Sequence, residues 1–219
     1  MPTLEARIRT VLDQKSMLNH PFYQEWMRGS LEMDRLQEYA RQYYHFELAF
    51  PRFLSAIHTR TESPTIRQLL LDNLWDEEHG ERNHPALWLE FAEALGVPAA
   101  EVTNSTPNPE TEAMIDYYYD RSRNAPIGEA LATLFAYEGQ VPDLAWQQIK
   151  ALTEHYGFKP NQFEFFSVHL VADVAHAGAE IGAIEEASEA EETIGAAAGR
   201  ACDYLLAFLD GCYAVAGVR

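Results

Sequence analysis

The chain is short of cysteine, of positive charge and of long apolar runs, and each shortage excludes something. Only two cysteines occur in 219 residues, Cys202 and Cys212, both near the C-terminus. They show no paired-cysteine metal spacing, and a reduced, cytoplasmic setting is the simplest reading. Sixteen Lys and Arg stand against 34 Asp and Glu, a formal net charge of −18. Such a surface repels phosphate backbones and anionic membranes, which argues against a nucleic-acid partner. No apolar run reaches membrane-spanning length. The N-terminal stretch MPTLEARIRTVLDQK is amphipathic and has no long apolar segment of the secretory kind. Neither strand alternation of convincing length nor an internal repeat is visible.

What remains is helical patterning. Hydrophobic residues make up 47% and aromatics 12%, enough for a substantial core in one domain over residues 1–219. Residues 3–17 read as a short amphipathic helix, broken at His20-Pro21 and followed by a buried-looking turn with Phe22, Tyr23 and Trp26. A long helix follows over about 34–61, with a kink expected at Pro51. Ser63-Pro64 supplies a cap and a first-turn proline for a helix running to about Leu95, distorted near Gly80 and Pro85. Gly96 stops it, and residues 97–109 form the longest irregular stretch. Further helices are expected over 110–122, over 126–156 with an interruption near Gly139 and Pro142, over 160–187, and over 190–215. The expectation is an all-α, single-domain, seven-helix bundle.

Six residues in these segments form a candidate two-metal set: Glu77, His84, Glu138, His169, Asp173 and His176. His169, Asp173 and His176 lie in HLVADVAH, where steps of four and three put all three on one helical face. Their neighbours Leu170, Val171, Ala172, Val174 and Ala175 are apolar, which suits a helix buried on most sides. Glu77 and His84 lie in EEHGERNH, seven apart, two turns along one face. Glu81 shares that face, and Asp76, Glu78 and Glu81 also fit a solvated acidic surface, so spacing does not choose between the glutamates. Glu138 stands alone in the apolar FAYEGQ. Carboxylates carry charge and can bridge two cations, and imidazoles add neutral donors that suit iron. A lone histidine on an apolar face is more often a core residue, but an unpartnered carboxylate or imidazole is costly to bury, and three segments share the pattern.

In these blocks the chain resembles the family of the Chlamydia protein associating with death domains (CADD), haem-oxygenase-like dimetal oxidases related in fold to TenA and PqqC. The similarity spans roughly residues 10–187. It rests on HPFYQEW, YARQYYHFELAFPRFLSAIHTR, LLLDNLWDEEHGERNHPALW, YEGQVP, LTEHYGF and HLVADVAHA. The resemblance implies a seven-helix haem-oxygenase-like fold and two metal ions, iron or iron with manganese, held by the six residues, with Glu77 rather than Glu81 among them. It also implies O₂ as co-substrate, a homodimer, and synthesis of p-aminobenzoate for folate. In that chemistry a tyrosine of the protein itself supplies the aromatic ring. The sacrificed position falls on Tyr23 and a second tyrosine near the metals on Tyr137. Tyr43 and Tyr44 are further candidates for the pocket wall. Taken alone, as one of 11 tyrosines, Tyr23 reads first as a packed aromatic in a turn.

One departure bears on the chemistry. Where the family has a lysine implicated as amino-group donor, this chain has Gln148. Lys150, two residues on, lies about 200° around a helix and is expected to face elsewhere. The alternatives are a dimetal oxidase acting on an external small molecule, such as an amino acid or fatty acid, and a non-enzymatic interaction module. Thiamin hydrolysis of the TenA kind needs a pocket cysteine, and neither Cys202 nor Cys212 is near the candidate segments.

Overall fold

In a computed structural model the described residues are 3–187 and 189–214, with the side chains of 171–176 outside the description. Those residues form eleven α-helices and two short 3₁₀ turns, at Met17–Asn19 and Pro160–Gln162. The helices are α1 Leu4–Gln14, α2 Pro21–Met27, α3 Met33–His58, α4 Pro64–Glu78, α5 His84–Ala94 and α6 Ala99–Thr103, followed by α7 Pro109–Asn124, α8 Ile127–Glu138, α9 Val141–Glu154, α10 Glu164–Glu186 and α11 Glu191–Tyr213. The all-α class is as expected. The higher count comes from full breaks where only a distortion or interruption was expected, and from the short helices α2 and α6.

His20-Pro21 does not merely end a helix. The His20 ring accepts a hydrogen bond from the Phe22 N–H and Pro21 occupies the first turn, so the pair starts α2. Phe22, Tyr23 and Trp26 are therefore helical and buried, not a turn. The segment expected as one helix from 63 to 95, distorted near Gly80 and Pro85, divides there fully, after Glu78. Gly80 there takes φ +90°, a left-handed conformation that glycine tolerates. Asn83 then caps α5 by accepting from the Ala86 N–H, with Pro85 in the first turn. The 126–156 segment is interrupted where expected, between Glu138 and Val141. A short α6 interrupts the stretch expected to be irregular. Through Pro51, α3 stays one helix.

Helix α8 is the centre of the bundle. From Ala130 to Glu138 every residue is buried, the signature of a helix apolar all round and enclosed by others. It packs against α11, α10 and α7, while α3 packs against α7, α4 and α5, and α10 also against α9, α4 and α5. This arrangement brings the C-terminal end of α8, the middle of α3, the α4–α5 break and the first half of α10 together. Among the described residues no helix is long and apolar enough to cross a membrane.

Candidate metal centre

The α4–α5 break corrects the reason for pairing Glu77 with His84 and keeps the pair. They are not two turns apart on one helix: Glu77 lies at the end of α4 and His84 opens α5. The turn through Gly80 folds the His84 ring back, and its Nδ1 sits 2.8 Å from Glu77 Oε2. A carboxylate only accepts, so Nδ1 carries a proton and Nε2 is the ring nitrogen left for another ligand. His169 is fixed in the same sense, because its Nδ1 donates to the Phe165 carbonyl at 2.7 Å. The two imidazoles lie against each other, ring centroids 4.3 Å apart. Hydrogen bonds that fix tautomer and orientation are what metal-binding histidines have.

A third donor, Glu47, completes this group. Ligand atoms of Glu47, His84 and His169 lie within 4.8 Å of one another, and all three residues are buried. Sequence reasoning missed Glu47. In HFELAF it is a single glutamate among apolar residues, and the one available signal was its burial on the otherwise apolar face of α3. Glu77 stands behind His84, outside that 4.8 Å set.

Glu138 is 2% exposed and sits at the end of α8. Its Oε1 accepts from the Asn73 side-chain amide at 2.8 Å. Its Oε2 is buried with no hydrogen-bond partner among the described residues. A buried carboxylate oxygen left in that condition is costly, and a cation would satisfy it. Asn73 is a second residue the sequence reading missed, one turn before Glu77 on α4. Asp173 and His176 lie on α10 four and seven positions after His169, and their side chains are outside the described residues. Three buried glutamates and two oriented imidazoles make a donor set that fits first-row divalent metals.

Beside this centre lies a small cavity walled by Tyr23, Tyr39, Tyr43, Tyr137, Gln148 and His169, among others. Tyr43 and Tyr137 are hydrogen-bonded through their hydroxyls. The Tyr23 and Tyr39 hydroxyls are 3.0 Å apart, and Gln148 Nε2 donates to the Tyr23 oxygen at 3.2 Å. Burial pushes the phenols of Tyr23, Tyr39 and Tyr43 above the ordinary tyrosine value, so all three are neutral. Tyr44 does not line the cavity. Lys150 is on the surface over the Trp146 ring, away from the cavity as expected. Both thiols are buried, with Cys202 pushed up to about 12 and Cys212 raised well above its usual value. Neither is a poised nucleophile.

The profile of a family described as iron-containing redox enzymes matches residues 37–205. A 4-aminobenzoate synthase of Nitrosomonas europaea is 43% identical over 222 residues, covering 95% of this chain and 90% of that protein. A 4-aminobenzoate synthase of Chlamydia trachomatis is 40% identical over 176 residues, covering 80% and 76%. Among solved structures, a TenA homologue from Pseudomonas syringae superposes with a TM-score of 0.85 at 17% identity, covering 98% of this chain and 94% of that one. A CADD-like protein from Nostoc punctiforme superposes at 0.78 with 20% identity, covering 96% and 95%. At these identities the structural likeness establishes the haem-oxygenase-like fold alone.

Proposed function

The chain belongs to the iron-containing redox enzymes, a family of metal-dependent oxidoreductases, and on that premise we propose that it makes 4-aminobenzoate, as its relatives are named for doing, from its own Tyr23. The metal centre takes two ions, iron with iron or iron with manganese, on Glu77, His84, Glu138, His169, Asp173 and His176. When bound, the metals supply the reduction of O₂, the oxidant of the reaction. The protein's part is to hold Tyr23 in place, neutral and away from bulk water.

The observation that carries this reading is the size of the cavity at Tyr23. It offers about 20 Å³, room for roughly one water. An external aromatic substrate does not fit beside four tyrosine rings, so the oxidisable ring nearest the centre is one the protein already owns. Tyr23 itself is 1% exposed and held at its hydroxyl by Gln148 and Tyr39. Gln148 brings a carboxamide where the resemblance implies an amine, so the nitrogen comes from another amine or from ammonia.

The test is to load the protein with Fe(II) without oxygen, admit O₂ with and without ammonium ion, and measure products and intact mass. The expected result is at most one 4-aminobenzoate per chain, with mass lost from the peptide containing Tyr23. O₂ consumption with an undamaged Tyr23 peptide overturns the proposal.

A second reading has its own observation. A cleft of about 720 Å³ between α4 and α10 is lined by Leu69, Ala179, Gly182, Ala183 and Asn73, among others. Asn73 is the residue bonded to Glu138. An apolar external substrate there would meet the centre beside Asn73, and would give many turnovers per chain.

A further inference from the structure

The six-residue set leaves Glu47 without a role, yet Glu47 is placed as a ligand would be. It projects from α3 into the bundle, 3% exposed, between Phe46 and Leu48 in the sequence. Its carboxylate lies with the ligand atoms of His84 and His169 inside 4.8 Å. Three separate helices, α3, α5 and α10, converge on that point. Both histidines have Nδ1 committed elsewhere, to Glu77 and to the Phe165 carbonyl, which leaves Nε2 of each as the nitrogen for a metal. One carboxylate and two imidazoles are the composition of a site for a divalent first-row metal that keeps open positions for another ligand.

We propose that Glu47 is a direct metal ligand, binding one divalent ion together with His84 and His169. Glu77 then also orients His84 through Nδ1. The assignment rests on the metal reading above and adds to it a carboxylate from the helix that carries Tyr39 and Tyr43. Glu47 follows Tyr43 by one helical turn, so a ligand on Glu47 ties the metal position to the wall of the tyrosine cavity. The competing account is that Glu47 balances the imidazoles as an ion pair and touches no metal.

Cobalt(II) separates the two, because its visible bands report the ligands directly. Metal-free protein is titrated anaerobically with Co(II), and the wild type is compared with Glu47→Gln and Glu47→Asp. The expected result is two Co(II) per wild-type chain. In Glu47→Gln one of them is lost or bound at least 100-fold more weakly, beyond the 10- to 100-fold typical of residues that only orient ligands. Glu47→Asp, which keeps the charge on a shorter arm, should retain that ion with shifted bands. Two ions bound by Glu47→Gln with wild-type affinity and spectrum overturn the assignment and leave the two-metal reading standing. A wild type that binds no Co(II) overturns both. Should Glu47→Gln fail to fold, Glu47→Asp decides: bands and affinity unchanged from wild type overturn the assignment.

Discussion

Tyr23 shows how much one hydroxyl is asked to do. Its ring is stacked on Trp26, with centroids 5.7 Å apart and planes within 4°, and Phe22 meets it edge-on. Ring packing alone would hold a phenylalanine there equally well. The hydroxyl adds the contacts to Tyr39 and Gln148. Tyr23→Phe removes those contacts, leaves a buried carboxamide short of its acceptor, and should cost about 1–2 kcal/mol of stability. Denaturant unfolding of the metal-free variant measures that cost. The same variant should bind metal as the wild type does and release no 4-aminobenzoate. Full product from Tyr23→Phe would remove Tyr23 from the role of ring donor. His176→Ala makes the matching test of the metal set: the metal content should fall by about one ion per chain, and an unchanged content would remove His176 from it.

At the scale of elements, the centre depends on a helix that stops. Gly80 at φ +90° lets the chain turn between α4 and α5 and bring His84 onto Glu77. A Cβ at Gly80 would meet nothing within 4 Å, so Gly80→Ala isolates the backbone cost. It should lower stability by about 1 kcal/mol or more. It should also weaken metal binding, because His84 loses its fixed approach. An unchanged denaturation midpoint together with unchanged metal affinity would show that the turn is not a constraint. The same break shows what the sequence could and could not tell. Asn83 followed by His84 and Pro85 is a cap and first turn, and read that way it divides the segment correctly; read by apolar period alone it disappears into one long helix. His169 was legible because HLVADVAH spaces it with Asp173 and His176 along one helical face, although its described neighbours His84 and Glu47 come from other helices. Glu47 was not, because its partners arrive from α5 and α10, and no local spacing links a lone glutamate to distant helices. Gln148 was legible as a departure, and its contact with the Tyr23 hydroxyl emerged only from the packing of α9 against α2.

For the whole molecule, the buried phenols set a limit on the pH range of stability. Tyr23, Tyr39, Tyr43 and Tyr118 are fully enclosed, and burial is the largest cause raising each above the ordinary value of 10.0. The unfolded chain gives up these protons near pH 10 and the folded chain holds them to higher pH. Their contribution is therefore complete below about pH 10 and is lost as pH rises from there through the folded values. Each such group steepens the loss by about 1.4 kcal/mol per pH unit. Cys202 and Cys212 act in the same direction from about pH 9, since burial also raises their thiols above the ordinary value of 9.0. Unfolding measured at pH 8, 10 and 11 should show a steep fall over the last step, while tyrosinate absorbance in the folded protein stays below that of 11 free tyrosines. Tyr23→Phe should make the fall shallower by one group's slope. If all the tyrosines titrate at the ordinary value while the protein remains folded, the cavity is open to water. The exclusion of solvent and of external substrate from Tyr23, on which the self-sacrificing reaction depends, would then be gone.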